Sequence, residues 1–129
     1  MTKTALELDP KELKKYKPGQ TKKYQSHQAS QLIEQSRQQA WILAHKAAEL
    51  LKKEFGADKV IVFGSLANQV NFTPWSDIDL SAWGIPNDRF YAAVAEVADL
   101  SSHFKIDLID PVICKPVVRD AILTNGIEI

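Results

Sequence analysis

The stretch that decides the fold is Val60-Ile61-Val62-Phe63-Gly64-Ser65, which is followed, after residues 66–76, by Asp77-Ile78-Asp79-Leu80. The apolar run 60–63 predicts a buried β-strand that ends at a Gly-Ser turn. The second segment predicts another strand, in which alternate residues point to the same face. Asp77 and Asp79 should therefore lie side by side, with their Cα atoms roughly 6–7 Å apart, which is twice the rise per residue.

This pair of carboxylates has a chemical consequence. Two adjacent carboxylates repel each other, which raises their pKa values unless a cation lies between them. Oxygen ligands without a nearby cysteine favour Mg²⁺, which proteins usually bind through one or two carboxylates together with substrate phosphates. The backbone N–H groups after Gly64-Ser65 are placed to donate hydrogen bonds to such phosphates. Each motif alone also has a simpler interpretation: polar alternation in an exposed strand for Asp-x-Asp, and a tight βα turn for Gly-Ser.

A third acidic residue follows from the same alternation. Segment 104–109 predicts a third strand in which Asp107 lies opposite the apolar face formed by Phe104, Ile106 and Leu108. If this face and the apolar face of the second strand pack against the same helices, Asp107 shares a face with Asp77 and Asp79. Neighbouring strands are about 4.8 Å apart. The three carboxylates would then converge on one or two metal ions, as in two-metal phosphoryl transfer.

The order of these elements resembles the signature of the DNA polymerase β nucleotidyltransferase superfamily. That signature is a Gly-Ser turn after an apolar strand, then Asp-x-Asp at the start of the next strand, then an aspartate in a later strand. The short chain is most similar to the minimal members, the MNT proteins, often encoded as antitoxins beside HEPN-domain ribonucleases. The resemblance covers about residues 58–128. It implies an α/β, minimal polymerase-β-like fold with a small mixed β-sheet flanked by helices.

The resemblance also implies roles for the matching residues. Asp77, Asp79 and Asp107 would bind Mg²⁺ and act in catalysis, and Gly64 and Ser65 would bind the nucleotide. The substrate would be ATP, and AMP would be transferred to a tyrosine of a partner HEPN-type toxin, with which the chain would form a hetero-oligomer.

The sequence departs from the family pattern after the Gly-Ser turn. Many minimal members have arginines there, whereas this chain has Leu66-Ala67-Asn68-Gln69. This departure favours an alternative in which the protein is a catalytically weak antitoxin that neutralises its toxin by direct binding. A further alternative, transfer to a small molecule, would require a second substrate-binding domain or a site shared across a homodimer.

Size and composition favour one ordinary globular domain. The chain has 129 residues, 45% of them hydrophobic and 25% charged. Its 16 basic and 16 acidic residues give a net charge of zero, which argues against nucleic acid as a target held by bulk electrostatics. The single cysteine, Cys114, cannot form an internal disulfide, which is typical of a reducing compartment. No signal peptide or membrane span is evident, so we expect a cytoplasmic protein without membrane contact.

The chain divides into a basic N-terminal arm at 1–25 and a nucleotidyltransferase domain at 26–129. The arm, with a short helix predicted over 10–16, is either a solvated segment or a contact surface for a protein or RNA partner. Along the domain the patterns predict helices and strands as follows: a helix at 28–54, a strand at 59–63, a short helix or turn at 66–70, a strand at 77–83, a helix at 87–101 capped by Asn87, a strand at 104–109, a helix at 116–126 and a short edge strand at 127–129.

Overall fold

The computed structural model describes residues 22–69 and 71–129. Residues 1–21 of the expected arm, and the helix predicted over 10–16, lie outside the described residues, and the boundary between residues 25 and 26 stays a prediction. The elements in chain order are α1 (Lys22–Phe55), β1 (Lys59–Phe63), α2 (Ser65–Asn68), β2 (Ile78–Trp83), α3 (Asn87–Ala98), β3 (Ile106–Ile109), α4 (Pro116–Asn125) and β4 (Ile127–Glu128).

The strands form one mixed sheet in the order β3-β2-β1-β4. β1 is antiparallel to both β2 and β4, whereas β2 and β3 are parallel. The parallel pair needs a crossover, which α3 supplies. The α/β class and the small mixed sheet flanked by helices are therefore confirmed.

The main core lies between one face of the sheet and the helices α1 and α3. Small alanines of α1 let the helix axis approach the sheet closely, and Leu51 is fully buried among them. The strands contribute alternate residues to this core, as the period of two requires. These are Val60, Val62, Ile78, Leu80, Ala82, Ile106 and Leu108.

The opposite face of the sheet carries a second, smaller core beneath α4. Ile61 and Phe63 of β1 pack with Ile122 of α4, and Trp83, Ile109, Cys114 and Val118 surround them. Asp79 is the direct partner of Phe63 in the antiparallel pair, so its side chain lies on this second face, away from α1. The acidic residues are therefore not covered by the main helical layer.

The helix α1 is much longer than the strands it covers. Its 34 residues span about 51 Å at 1.5 Å per residue, whereas each strand spans less than half of that. The chain reverses at Gly56, which has φ +75°, and the N–H of Ala57 donates to the carbonyl of Leu51 at 3.0 Å. Because of this reversal, the N-terminal half of α1 extends past the end of the sheet where β1 finishes.

Several element boundaries differ from the sequence prediction, and α1 already begins at Lys22 rather than at residue 28. Asn87 does not cap α3: Pro86 occupies the N-cap position, and no side chain caps the helix. The helix ends at Ala98 rather than Ser101, because the hydroxyl of Ser101 instead accepts hydrogen bonds from the N–H groups of His103 and Phe104, both at 3.0 Å. That turn also delays the start of β3 to Ile106.

Within the described residues, none of the helices combines the length and the apolar character that crossing a bilayer requires.

Candidate active site

The centre of the site is a pair of aspartates on adjacent parallel strands. Asp79 of β2 is the register partner of Asp107 of β3, and neighbouring strands are about 4.8 Å apart. Both side chains are half-buried. The flanking pairs, Ile78 with Ile106 and Leu80 with Leu108, point into the main core, so the two carboxylates project together from the other face.

On its other side Asp79 adjoins the end of β1. Phe63, its partner across the antiparallel pair, is buried and presents an aromatic wall. Gly64 follows with φ +76° and ψ −153°, a conformation open essentially to glycine alone. A β-carbon at this position would collide with the Asp79 carboxylate. The turn therefore packs directly against the Asp79 carboxylate.

This environment disfavours the charged form of Asp79. Burial, the Asp107 carboxylate and the Asp77 carboxylate, in that order of size, raise the pKa of Asp79 to about 6. Lys105 acts in the opposite direction. The carbonyl of Lys105 also accepts a hydrogen bond from the N–H of Ile78 at 2.9 Å, which joins the start of β2 to the segment before β3. The Lys105 ammonium is a contribution that the sequence patterns did not single out.

Asp77 lies one residue before β2, which begins at Ile78. It is half-buried, and its charge acts on Asp79. The structure thus brings Asp79 and Asp107 into direct register and leaves Asp77 at the entrance to the strand.

The carboxylate oxygens of these aspartates suit a hard cation, although the side chains as they stand do not form a complete metal-binding site. Closely spaced carboxylates are stabilised when a divalent cation shares their oxygens. Across residues 22–69 and 71–129, however, no three His, Cys, Asp or Glu side chains are grouped to hold a metal as they stand. The Mg²⁺ site at Asp77, Asp79 and Asp107 therefore fits the chemistry of the residues and stays a prediction.

Ser65 begins the short helix α2, directly after Gly64. Hydrogen bonds from the N–H of Asn68 to the carbonyl of Gly64 and from Gln69 to Ser65, at 3.1 and 2.9 Å, hold this single turn together. Leu66 and Ala67 are buried, which anchors the turn on the core. Gly64 and Ser65 are thus held beside the acids, and their role in nucleotide binding stays a prediction.

A small mixed sheet with paired carboxylates on adjacent strands, next to a glycine turn, defines a domain of the nucleotidyltransferase class. The family model described as polymerase beta, nucleotidyltransferase matches residues 45–129, which is more than half of the chain. The chain belongs to this family, as the sequence pattern predicted. The matched range includes every residue discussed above from Asp77 to Asp107.

Solved structures that share the fold include chains of toxin–antitoxin pairs. A chain of a toxin-antitoxin crystallised with AMP-PNP has a TM-score of 0.53 and 20% identity, with 66% of this chain and 70% of that chain covered. A chain of the toxin-antitoxin MntA-HepT has a TM-score of 0.50 and 18% identity, with 68% and 69% covered. A sequence search of curated proteins found no match. At this level of identity the likeness concerns the fold.

Proposed function

We propose that this protein is an antitoxin that transfers AMP from ATP to a tyrosine of a HEPN-type toxin, with Mg²⁺ as the metal. The observation that carries the proposal is the register pairing of Asp79 with Asp107 beside Gly64. Two carboxylates on one face, packed against a glycine turn whose following N–H groups open a short helix, suit a site for metal-bound phosphates. Family membership and the fold shared with chains of toxin–antitoxin structures support this choice.

In this proposal the tyrosine oxygen attacks the α-phosphorus of ATP. The bond from that phosphorus to the bridging oxygen breaks, and pyrophosphate leaves. Asp77 and Asp79 would hold the metal, which supplies charge stabilisation to the phosphates. Asp107, on the neighbouring strand, would complete the metal site, orient the hydroxyl and accept its proton. Lys105, next to these acids, would offset part of the negative charge on the phosphates.

The decisive experiment combines the purified protein, the candidate toxin, radiolabelled ATP and Mg²⁺. The proposal predicts label on the toxin, an added AMP mass by mass spectrometry, and loss of labelling in Asp79→Asn. Asp99→Asn, which changes an exposed acid at the end of α3, is the matched control. Absence of transfer by the wild-type protein, with a partner that forms a complex with it, would exclude this activity.

A second candidate is neutralisation by binding alone. It is favoured by α2 itself, which carries no basic residue in its last turn, so this segment offers no cation to a triphosphate. An experiment in cells that express the toxin distinguishes AMP transfer from neutralisation by binding alone. If the double variant Asp77→Asn/Asp79→Asn protects cells as well as the wild type does, occlusion explains the antitoxin function; if protection is lost while the complex still forms, transfer explains it.

The proposed setting is the cytoplasm, where toxin and ATP are both present. The partner would be a protein, since the balanced charge of 16 basic and 16 acidic residues does not favour nucleic acid as the direct target.

A further inference from the structure

A cavity of about 150 Å³ lies between the N-terminal half of α1 and the loop that precedes β2. Leu32 and Ile33 of the helix and Pro74 and Trp75 of the loop form its apolar walls. The two helix residues are only half-buried, and Trp75 is 39% exposed. An apolar cavity of about this volume takes a group the size of benzene, so one or two aliphatic side chains are enough to fill and cover it.

The helix wall of this cavity lies outside the matched family domain. The family match begins at residue 45, whereas α1 begins at Lys22. The cavity forms where the part of α1 before residue 45 meets the loop 73–75, which belongs to the matched domain. The cavity is therefore a feature of what this chain carries in front of that domain.

The loop side of the cavity is held by its own hydrogen bonds. The N–H of Thr73 donates to the Ser76 hydroxyl at 2.9 Å, and the N–H of Ser76 donates to the Thr73 carbonyl at 3.0 Å. The N–H of Trp75 donates to the Thr73 hydroxyl at 3.3 Å. The loop thus presents the indole in a fixed position, and an apolar segment can pack on it without first ordering the loop.

The sequence before α1 can return to this cavity. Pro18-Gly19 has the residues of a type II turn in the required order, and a turn there sends the preceding residues back alongside α1. At 1.5 Å per residue, Leu32 lies about 15 Å along the helix from Lys22. The nine residues 9–17 span about 14 Å as a helix and at most about 32 Å when extended. Leu8 therefore reaches the cavity in either form.

The most apolar run before α1 is Ala5-Leu6-Glu7-Leu8. In an extended segment Leu6 and Leu8 lie on one side and Glu7 on the other, so both leucines can face the cavity while the carboxylate stays in water. Because this run is joined covalently to the helix that forms the cavity wall, its effective concentration there is in the mM range. That advantage favours it over a second copy of the chain or a separate partner.

We propose that residues 5–8 of the chain's own N-terminal arm occupy this cavity, with Leu6 and Leu8 packed against the Trp75 indole and the apolar residues of α1. The contact covers apolar surface on both walls and joins the arm to the loop before β2. It involves neither the acids nor a nucleotide, so it holds or fails independently of the proposed function.

Trp75 fluorescence reports on this contact in the full-length chain. The double variant Trp41→Phe/Trp83→Phe leaves Trp75 as the single tryptophan of the three. In this background Leu6→Ser/Leu8→Ser should shift the emission to longer wavelength and increase its quenching by acrylamide, because the indole loses its apolar cover. Unchanged emission and quenching would overturn the proposal.

Two control variants of the same arm make the result specific. Lys14→Ser/Lys15→Ser removes two charges and no apolar side chain, so it should change neither emission nor quenching. Leu13→Ser/Tyr16→Ser removes the other large apolar side chains between Leu8 and the turn and should also change neither. A shift in this second control, with none in the Leu6 and Leu8 variant, would assign the cavity to a different segment and overturn the proposal.

A disulfide experiment locates the segment without using fluorescence. Cys114→Ser first removes the natural thiol of the chain. Leu6→Cys is then combined either with Ala29→Cys, at the cavity, or with Gln31→Cys, at an exposed position of the same helix. Under mild oxidation the pair with residue 29 should cross-link within one chain much faster than the pair with residue 31. Equal rates would show that the arm does not dock at the cavity.

Protein concentration separates the chain's own arm from a second copy. Emission of the single-tryptophan protein should not change on dilution, and the cross-linked product should run as a monomer. Emission that shifts on dilution, or a product that runs as a dimer, would assign the cavity to a second chain and overturn the proposal.

Discussion

Gly64 and Asp79 are packed so closely that a β-carbon on the glycine would occupy the place of the aspartate carboxylate. The glycine has φ +76° and ψ −153°, so both the backbone conformation and the available space require this residue. The close approach joins the end of β1 to the acid of β2. It also means that the glycine turn and the carboxylate pair form one structural unit.

We expect Gly64→Ala to abolish AMP transfer and to destabilise the protein by about 1–3 kcal/mol, the usual cost of holding an ordinary residue in such a conformation. Gly56→Ala is a matched control. Gly56 has φ +75°, but a β-carbon there would meet nothing within 4 Å. The control should lose about 1–2 kcal/mol of stability and keep its activity. Urea unfolding and the labelling assay, run below both melting temperatures, measure the two effects; equal activity of the two alanine variants would contradict the prediction.

The raised pKa of Asp79 predicts a pH-dependent stability. In the folded protein its pKa is about 6, against an ordinary value of 3.8, so the native state holds this proton more tightly than the unfolded state. The Asp79 carboxyl group therefore contributes favourably to the free energy of unfolding below about pH 4, and this contribution is lost as the pH rises through 6. A shift of about two pKa units corresponds to about 3 kcal/mol, which partial solvent exposure reduces.

Without metal, Asp79→Asn should therefore be more stable than the wild type by about 1–2 kcal/mol at pH 7.5. The advantage should shrink as the pH is lowered toward 4, where the wild-type carboxyl is protonated. Urea unfolding with a chelator present, repeated at four pH values, measures this difference. A gap between the two proteins that does not change with pH would show that the pKa of Asp79 is not raised in the folded protein.

Metal binding should remove the destabilisation that the ionised Asp79 carboxylate causes. If Mg²⁺ lies between Asp79 and Asp107, the ion with AMP-PNP should raise the melting temperature of the wild type and should raise it much less in Asp107→Asn. At a ligand concentration 100 times its Kd, the wild type should gain about 2.7 kcal/mol. Asp99→Asn should gain as much as the wild type. A full thermal shift in Asp107→Asn would remove this residue from the metal site.

The smaller core beneath α4 should matter to stability in spite of its size. Ile122 is 1% exposed and packs on Ile61 and Phe63, the residue beside Asp79. Ile122→Ala should cost about 2–5 kcal/mol, as large-to-small changes in cores do. Its neighbour Leu123 is 63% exposed, so Leu123→Ala should cost less than about 0.5 kcal/mol. If urea unfolding shows similar losses of stability for both variants, the face of α4 that carries Leu123 is also buried in solution.

Much of the fold could be predicted because strands and helices leave local patterns. The run 60–63 predicted β1, and the alternation around Ile78 and Leu80 predicted which side chains of β2 face the core. The helix bounds were less predictable, as Asn87 and Ser101 show, since the hydrogen bonds that begin or end a helix depend on which turn competes locally. The roles of Asp77, Asp79, Asp107, Gly64 and Ser65 in catalysis and binding stay predictions.

By itself, the sequence determined the family, the order of the elements and the faces on which the acids lie, because side-chain alternation and turn chemistry act over a few residues. Only the tertiary structure decided that Asp79 pairs with Asp107 rather than with a residue two positions away, that Phe63 and Gly64 close around it, and that α1 and Trp75 enclose a cavity. Register, burial and pKa depend on segments that are distant in the chain and meet only when the core packs, so no local pattern encodes them.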